Sequence, residues 1–177
     1  VVVFARLGPY HVARLRGAAE VLARAGVALQ AIAIAGNDKV YAWDQVPDPT
    51  VCPTQVLFPQ QLYEDIPAAA LVRQLHAALD EIQPLAVALP GWAFPEARIG
   101  LHWCRRRKRA AILMSESSAD DHVRLWPREL LKQRMVRQFG AALVGGRRHL
   151  AYAVRLGLPK AAIFGGYDAV DNAYFQQ

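Results

Sequence analysis

The stretch VVVFARLGPYHVARLRGAAEVLARAGVALQAIAIA (residues 1–35) decides the fold, because it joins two apolar runs through one loop and one amphipathic segment. Residues 1–4 and 27–35 are almost entirely apolar, as are strands covered on both faces of a sheet. Apolar side chains recur every three or four residues between them: Val12, Leu15, Ala19 and Leu22. This spacing predicts a helix with one stripe facing a sheet, and therefore a parallel strand–helix–strand unit.

The same alternation continues to the end of the chain. Further apolar runs occupy residues 55–58, 85–89, 110–114, 141–144 and 161–164. Helical spacing recurs at Val72, Leu75, Leu79 and Ile82, and again at Leu131, Met135 and Phe139. Glycines fit helix ends and prolines fit helix boundaries: Gly26 and Gly157, and Pro67, Pro84, Pro95 and Pro127. The pattern predicts one α/β domain over residues 1–177, a doubly wound Rossmann-like parallel sheet of about seven strands in three α/β/α layers.

Composition excludes several classes of protein. Hydrophobic residues make up 54% of the chain, which excludes a disordered segment, and no apolar run approaches the ~18 residues of a membrane span. The two cysteines, Cys52 and Cys104, have neither C-x-x-C nor zinc-ligand spacing. We therefore expect a reduced, cytoplasmic protein without a metal site.

The chain is basic, with 21 Lys and Arg against 15 Asp and Glu. The charge is densest in RRRKR, residues 105–109, at the predicted C-terminal end of a helix. Cations there suit the helix dipole, and a peripheral membrane contact is the functional alternative. Nucleic acid is not an expected partner, since only Trp103 could supply a stacking aromatic near this run.

Well-known catalytic motifs are missing from the sequence. It contains no G-x-G-x-x-G, P-loop, H-E-x-x-H or G-x-S-x-G pattern. Asp120 and Asp121 are neighbours, which favours solvated loop acids or a helix cap over a metal site. The absences weaken dehydrogenase, P-loop ATPase, zinc protease and lipase interpretations.

Ligands of open α/β sheets bind beyond the carboxyl ends of the strands, which directs attention to the loop after the first strand. That loop and the start of the helix supply candidate acceptor-binding residues: Gly8, Pro9, Tyr10, His11 and Arg14. Gly8 lets backbone approach a ligand, and the helix N-terminus with Arg14 favours polar or anionic groups. An ordinary tight turn, with His11 as a capping or surface residue, is the alternative.

Two later loops reach the same edge of the sheet. Glu116, after the strand at 110–114, could accept hydrogen bonds from carbohydrate hydroxyls, or could simply cap the next element. Gly145, Gly146 and Arg147 follow the strand at 141–144 and could bind phosphate, or could form a plain turn before a solvated helix face.

A run near the C-terminal end of the chain resembles a known family. The run ALVGGRRHLAYAVRLGLPKAAIFGGYDAVDNAYF (residues 142–175) is similar to the segment that closes the N-terminal domain of retaining family 4 glycosyltransferases, which have the two-domain GT-B architecture. Residues 1–26 look like that family's first strand, acceptor loop and helix. Residues 115–146 look like its strand-five loop and following helix, with Glu129 and Lys132 in an E-x-x-K pair.

The resemblance implies a function and a partner domain. In the family the N-terminal domain chiefly binds the acceptor, and a C-terminal domain with a Glu-x7-Glu motif binds the nucleotide-sugar. This chain lacks that motif and stops at Gln177, so the resemblance implies half of a longer enzyme, inactive by itself, with no catalytic residue in this half. It also implies a hinge at Tyr167, Asp168, Asp171 and Asn172.

The resemblance further implies the reaction partners. They are a UDP- or GDP-sugar as co-substrate, no other cofactor, and a sugar or lipid-linked acceptor, handled in the cytoplasm or at the inner face of the membrane. The alternative hypothesis is a stand-alone, non-catalytic Rossmann-like module that binds a phosphorylated small molecule or a partner protein. That alternative predicts a surface without a large exposed seam.

Overall fold

The computed structural model describes residues 1–37, 39, 51–120, 126–168 and 176. Its strands are β1 (Val2–Phe4), β2 (Ala31–Asn37), β3 (Thr54–Leu62), β4 (Ala86–Pro90), β5 (Ala110–Ser115), β6 (Ala141–Val144) and β7 (Ile163–Phe164). Its helices are α1 (Pro9–Arg24), α2 (Ala68–Ile82), α3 (Pro95–Arg107), α4 (Trp126–Val136) and α5 (Arg147–Arg155). Strands and helices alternate after β3 as the sequence predicts.

All strands form one seven-stranded sheet in the order β3-β2-β1-β4-β5-β6-β7, and every neighbouring pair is parallel. This confirms the predicted doubly wound Rossmann-like fold. The chain first builds outward from β1 to β3, then crosses back to place β4 on the other side of β1. The direction of strand order therefore reverses between β1 and β4, which is where such folds bind ligands.

Helices cover the two faces of the sheet unequally. One face packs against α2, α3, α4 and α5, and residues such as Val87 and Leu89 are completely buried there. On the other face, α1 is the helix that contributes to the buried cluster of the described residues, through Leu15. Beyond α1 this face is less covered, since Ile112 and Leu143 are only partly buried and Phe164 is 56% exposed.

The glycines and prolines of the sequence predicted most helix ends correctly. Gly26 and Gly157 have φ angles of 70° and 104° directly after α1 and α5, so both serve as the predicted helix ends. Pro95 is the first residue of α3, and Pro84 follows the end of α2. Across the residues that the structure describes, none of the helices has the length and apolar character needed to cross a membrane.

The predicted apolar stripe of α4 is wrong at Leu131, whereas Met135 packs against the core and Phe139 lies in it. Leu131 is 70% exposed, and Phe139 lies beyond the last helical residue, although Phe139 is buried. The buried residues of α4 are Val136 and the charged Glu129. Glu129 accepts a hydrogen bond from the Tyr152 hydroxyl of α5, a contact that apolar spacing cannot reveal. Val72 of the predicted α2 stripe is likewise 39% exposed.

Gly100 allows α3 to pack closely on β4. A Cβ atom at this position would lie 2.5 Å from Leu89 Cδ2, and Leu89 is completely buried. We expect Gly100→Ala to lower the free energy of unfolding by about 1–3 kcal/mol through overpacking. Gly17 in α1 is the matched control, because nothing lies within 4 Å of its added Cβ. Gly17→Ala should instead stabilise by about 0.5–1 kcal/mol in urea unfolding, and equal effects at both sites would contradict this packing.

Candidate functional site

A cleft of about 730 Å³ opens where β1, β4 and β5 end, at the point where strand order reverses. The loops after these strands form its walls. Its lining includes the predicted acceptor residues Gly8, Pro9, Tyr10, His11, Arg14 and Glu116. The structure thus brings together all the acceptor-binding residues that the sequence suggested, from two segments about a hundred positions apart.

The loop after β1 is shaped by His11. The Gly8 backbone N–H donates to His11 Nδ1 at 3.0 Å, and the imidazole ring lies 4.5 Å from that of Phe4. Burial, followed by the nearby Arg14 and Arg6 guanidinium groups, lowers the pKa of His11 to about 4. His11 is therefore neutral at physiological pH. Because Nδ1 accepts a hydrogen bond, Nε2 carries the ring proton and can serve as a donor.

Arg14 is the centre of the polar contacts. Its guanidinium group lies 3.7 Å from Glu116 Oε1, 3.5 Å from Asp168 Oδ1 and 4.5 Å from the centroid of the Tyr167 ring. The Arg14 side chain is only 18% exposed. The predicted hinge residues Tyr167 and Asp168 therefore contact Arg14 in the cleft, a juxtaposition across 154 positions that the sequence did not indicate.

The carboxyl groups of Glu116 and Asp168 are neighbours, and Asp168 affects the protonation of Glu116. Burial, and then the hydrogen bond and repulsion with Asp168, raise the pKa of Glu116 to about 7, although Arg14 opposes the shift. Near neutral pH the Glu116 carboxyl group is therefore present in both protonation states. It can accept a hydrogen bond from a ligand hydroxyl or donate one.

The loop after β6 stands apart from the cleft lining. Gly145, Gly146 and Arg147 lead into α5, and none of them lines the 730 Å³ cleft. A Cβ atom on Gly145 would overlap the Asp168 carboxylate and would lie 2.9 Å from His149 Nδ1. Gly145 is thus needed for close packing beside Asp168, whereas Gly146 faces open space. The predicted hinge residues Asp171 and Asn172 lie outside the described residues.

Sequence reasoning missed part of the cleft wall. Arg6, Tyr63 and Trp92 also line the cleft. Trp92 follows β4 at the carboxyl edge of the sheet, but no pattern in the sequence distinguished it. Tyr63 gave no signal, because the apolar run ends at Phe58 while β3 continues to Leu62.

Trp92 is held from behind by a polar cluster. Tyr152 donates to Glu129 at 2.9 Å, Lys132 Nζ lies 2.9 Å from Glu129 Oε1, and the Trp92 ring meets Tyr152 edge-on at 5.8 Å. Lys132 Nζ also lies 5.9 Å from the Trp92 ring centroid. The E-x-x-K pair of α4 is thus an ion pair, mostly buried, that supports one wall of the cleft.

Three solved structures share this fold. A sucrose-phosphate synthase from Thermosynechococcus elongatus matches with a TM-score of 0.56 and 15% identity, over 97% of this chain and 90% of that one. HepE from Anabaena, in complex with UDP-glucose, matches with a TM-score of 0.56 and 12% identity, over 96% of this chain and 44% of that one. UDP-N-acetylglucosamine 2-epimerase from Rickettsia bellii matches with a TM-score of 0.55 and 14% identity, over 93% of this chain and 43% of that one.

At these identities the likeness shows the fold alone, a parallel α/β sheet of the Rossmann-like type. The chain spans somewhat less than half the length of the epimerase and of HepE. No family model matches the sequence, and no curated protein does.

The carboxyl pair gives a pH-dependent prediction. We expect an NMR titration of the Glu116 side chain to report a pKa of about 7, and Asp168→Asn to lower it, because the neighbouring carboxylate is removed. Folding raises this pKa, so the stabilising contribution of Glu116 is complete below about 4.3 and is lost as the pH rises through the folded value. Glu116→Gln should abolish this part of the pH dependence. An unchanged pKa in Asp168→Asn would contradict the pairing.

The cluster behind Trp92 gives a second prediction. Lys132→Met leaves the Glu129 carboxylate without its cation, and we expect the free energy of unfolding to fall by about 1–3 kcal/mol, less than for a fully buried pair. The double variant Glu129→Gln/Lys132→Met should lose less, since no unpaired charge remains. Urea unfolding measures both. Equal losses in the single and double variants would show that the ion pair is not the cause.

Proposed function

We propose that this chain is the acceptor-binding N-terminal domain of a cytoplasmic, retaining, metal-independent glycosyltransferase of family 4. The enzyme would transfer a sugar from a UDP- or GDP-sugar to a hydroxyl group of the acceptor. The observation that carries the proposal is the cleft at the β1–β4 reversal, where His11, Arg14 and Glu116 meet between aromatic walls. The chain alone, without a donor domain, is expected to be inactive.

The charge balance of the cleft favours a neutral ligand. Arg6 and Arg14 line it, but Glu64 and Glu116 line it too, and Asp168 lies beside Arg14. His11 adds no charge, because its pKa lies near 4. A phosphate group would need a surplus of positive charge that these groups do not provide. A polyhydroxyl ligand needs only donors and acceptors, which the same side chains supply.

The aromatic walls suit the faces of a sugar ring. Tyr10, Tyr63, Trp92, Phe94 and Tyr167 all line the cleft. Aromatic rings offer flat apolar surfaces, and tyrosine hydroxyls add polar tips at the edges. The Tyr63 hydroxyl donates to the buried Glu96 at 2.7 Å, which fixes its orientation and leaves its oxygen able to accept from a ligand.

The role of this domain in the reaction would be to orient the acceptor. Arg14 and His11 Nε2–H would donate to acceptor oxygens, and Glu116 would accept from a hydroxyl group. Fixing the acceptor beside a donor bound on a second domain lowers the entropic cost of the reaction, and closing the cleft excludes water. No residue of this chain is assigned a catalytic proton transfer.

A second domain is supported by the uneven cover of the sheet. Phe164 is 56% exposed, and Ile112 and Leu143 are only partly buried on the face that α1 covers. A stand-alone module is not expected to leave such an apolar strip in contact with water. In the proposed enzyme Gly145, Gly146 and Arg147 would face the donor diphosphate, and Tyr167, Asp168, Asp171 and Asn172 would form the hinge.

The test is sugar binding in the cleft of the full-length protein. Saturation-transfer NMR with neutral methyl glycosides should show contact of the sugar ring protons. Arg14→Ala should weaken binding about tenfold or more, because hydrogen bonds to charged groups contribute about 1.5–3 kcal/mol. Arg24→Ala, at the exposed end of the same helix, is the control and should bind as the parent does.

Sugar phosphates and UDP serve as comparison ligands for the intact protein. Arg14-dependent binding of sugar phosphates without any binding of neutral glycosides would overturn the proposal and support the phosphate-binding module. If neutral glycosides do bind, transfer of sugar from UDP-glucose or a GDP-sugar to the bound glycoside tests the reaction itself.

A further inference from the structure

The edge of the sheet opposite the cleft collects positive charge. Helices of a parallel α/β fold run back against the strands, so α3, α4 and α5 all end at this edge. The exposed basic residues in or just after their last turns form what we call the basic rim: Arg105, Arg106, Arg107, Lys108, Arg134, Arg137, Arg155 and Lys160. The sequence run at 105–109 supplies four of these eight residues.

Contacts between the helix ends make the rim continuous. Arg105 donates to Gln138 Oε1 at 2.7 Å, which links the end of α3 to the segment after α4. A Cβ on Gly157 would lie 2.5 Å from Arg137 Nε, so Arg137 packs against the end of α5. The rim is therefore one surface and not three separate helix ends.

Little negative charge balances the rim. The last turn of α2 contributes the acidic Asp80 and Glu81, and Arg107 pairs with Asp80 at 2.8 Å. Within the described part of the chain, Arg106, Arg155 and Lys160 form no ion pair. Helix dipoles favour cations here, but one or two residues per helix would satisfy that preference.

The surface beside the basic rim distinguishes between two anionic partners, a lipid bilayer and a nucleic acid. Leu85 is 75% exposed and its carbonyl accepts from Ala110, so an apolar side chain stands directly beside the charge of residues 105–109. The aromatic residues near the rim, Trp103 and Phe139, are 2% and 4% exposed and cannot stack on bases. Exposed basic and aliphatic groups without stacking aromatics suit a bilayer surface better than nucleic acid.

We propose that the basic rim docks the protein on an anionic lipid bilayer. Five or six strand residues separate the rim from the cleft, about 15–20 Å at the usual rise per residue. A bilayer bound at the rim therefore leaves the cleft open to the aqueous side. This inference stands independently of the proposed function, because it uses none of the cleft residues.

The experiment is co-sedimentation of the full-length protein with vesicles of phosphatidylcholine containing 30 mol% phosphatidylglycerol. We expect binding that weakens steeply between 0.05 and 0.3 M NaCl and disappears with pure phosphatidylcholine. Arg106→Gln/Arg155→Gln should bind about 30-fold more weakly, since each basic residue near such a surface contributes about fivefold. Arg106→Glu/Arg155→Glu should bind still more weakly.

The matched control places the same changes at the other ends of the same two helices. Arg98 and Arg147 lie near the starts of α3 and α5, so Arg98→Gln/Arg147→Gln removes equal charge from the cleft side. This control should retain parental binding, and thermal unfolding of every variant checks the fold. The proposal fails if rim and control variants weaken equally, if phosphatidylcholine alone binds as well, or if the rim binds single-stranded RNA but no vesicles.

Discussion

The reversal of strand order beside β1 is the constraint on which the rest of the structure depends. β1, β2 and β3 extend the sheet in one direction, and β4 to β7 extend it in the other. As a consequence α1 covers one face and α2 to α5 cover the opposite face. The helices diverge where the two halves meet, and the loops after β1, β4 and β5 border the resulting cleft. The cleft, the uneven cover of the sheet and the opposite basic rim all follow from this arrangement.

The two edges of the sheet differ in their balance of charge. At the carboxyl edge of the sheet, positive charge is met by carboxylates, as Arg14 is met by Glu116 and Asp168. A neutral His11 completes that site without adding charge. At the opposite edge the helix C-termini carry arginines with few acidic neighbours. The formal net charge of +6 is thus concentrated away from the cleft, which reconciles a basic protein with a site suited to a neutral ligand.

The cleft also shows how buried polar groups fix aromatic side chains. Glu96 accepts from Tyr63, and Glu129 accepts from Tyr152, which meets Trp92 edge-on. Each carboxyl group lies behind the wall and not in the cleft, so it acts on a ligand only through the ring that it positions. This explains why two glutamates are buried in a helix-and-sheet core where apolar residues would otherwise be expected.

The sequence by itself determined the secondary structure and its class. The apolar runs, the helical spacing and the glycines and prolines at helix ends are local signals, so they fixed the α/β alternation and the loops at the carboxyl edge. Much of the cleft lining followed, because Gly8, Pro9, Tyr10, His11, Arg14 and Glu116 lie in or just after those loops. Only the tertiary structure decided the meeting of Arg14 with Asp168, the inward face of α4, the place of Trp92 and the extent of the basic rim. Each of these depends on contacts between distant segments, and local periodicity carries no information about which distant segments meet.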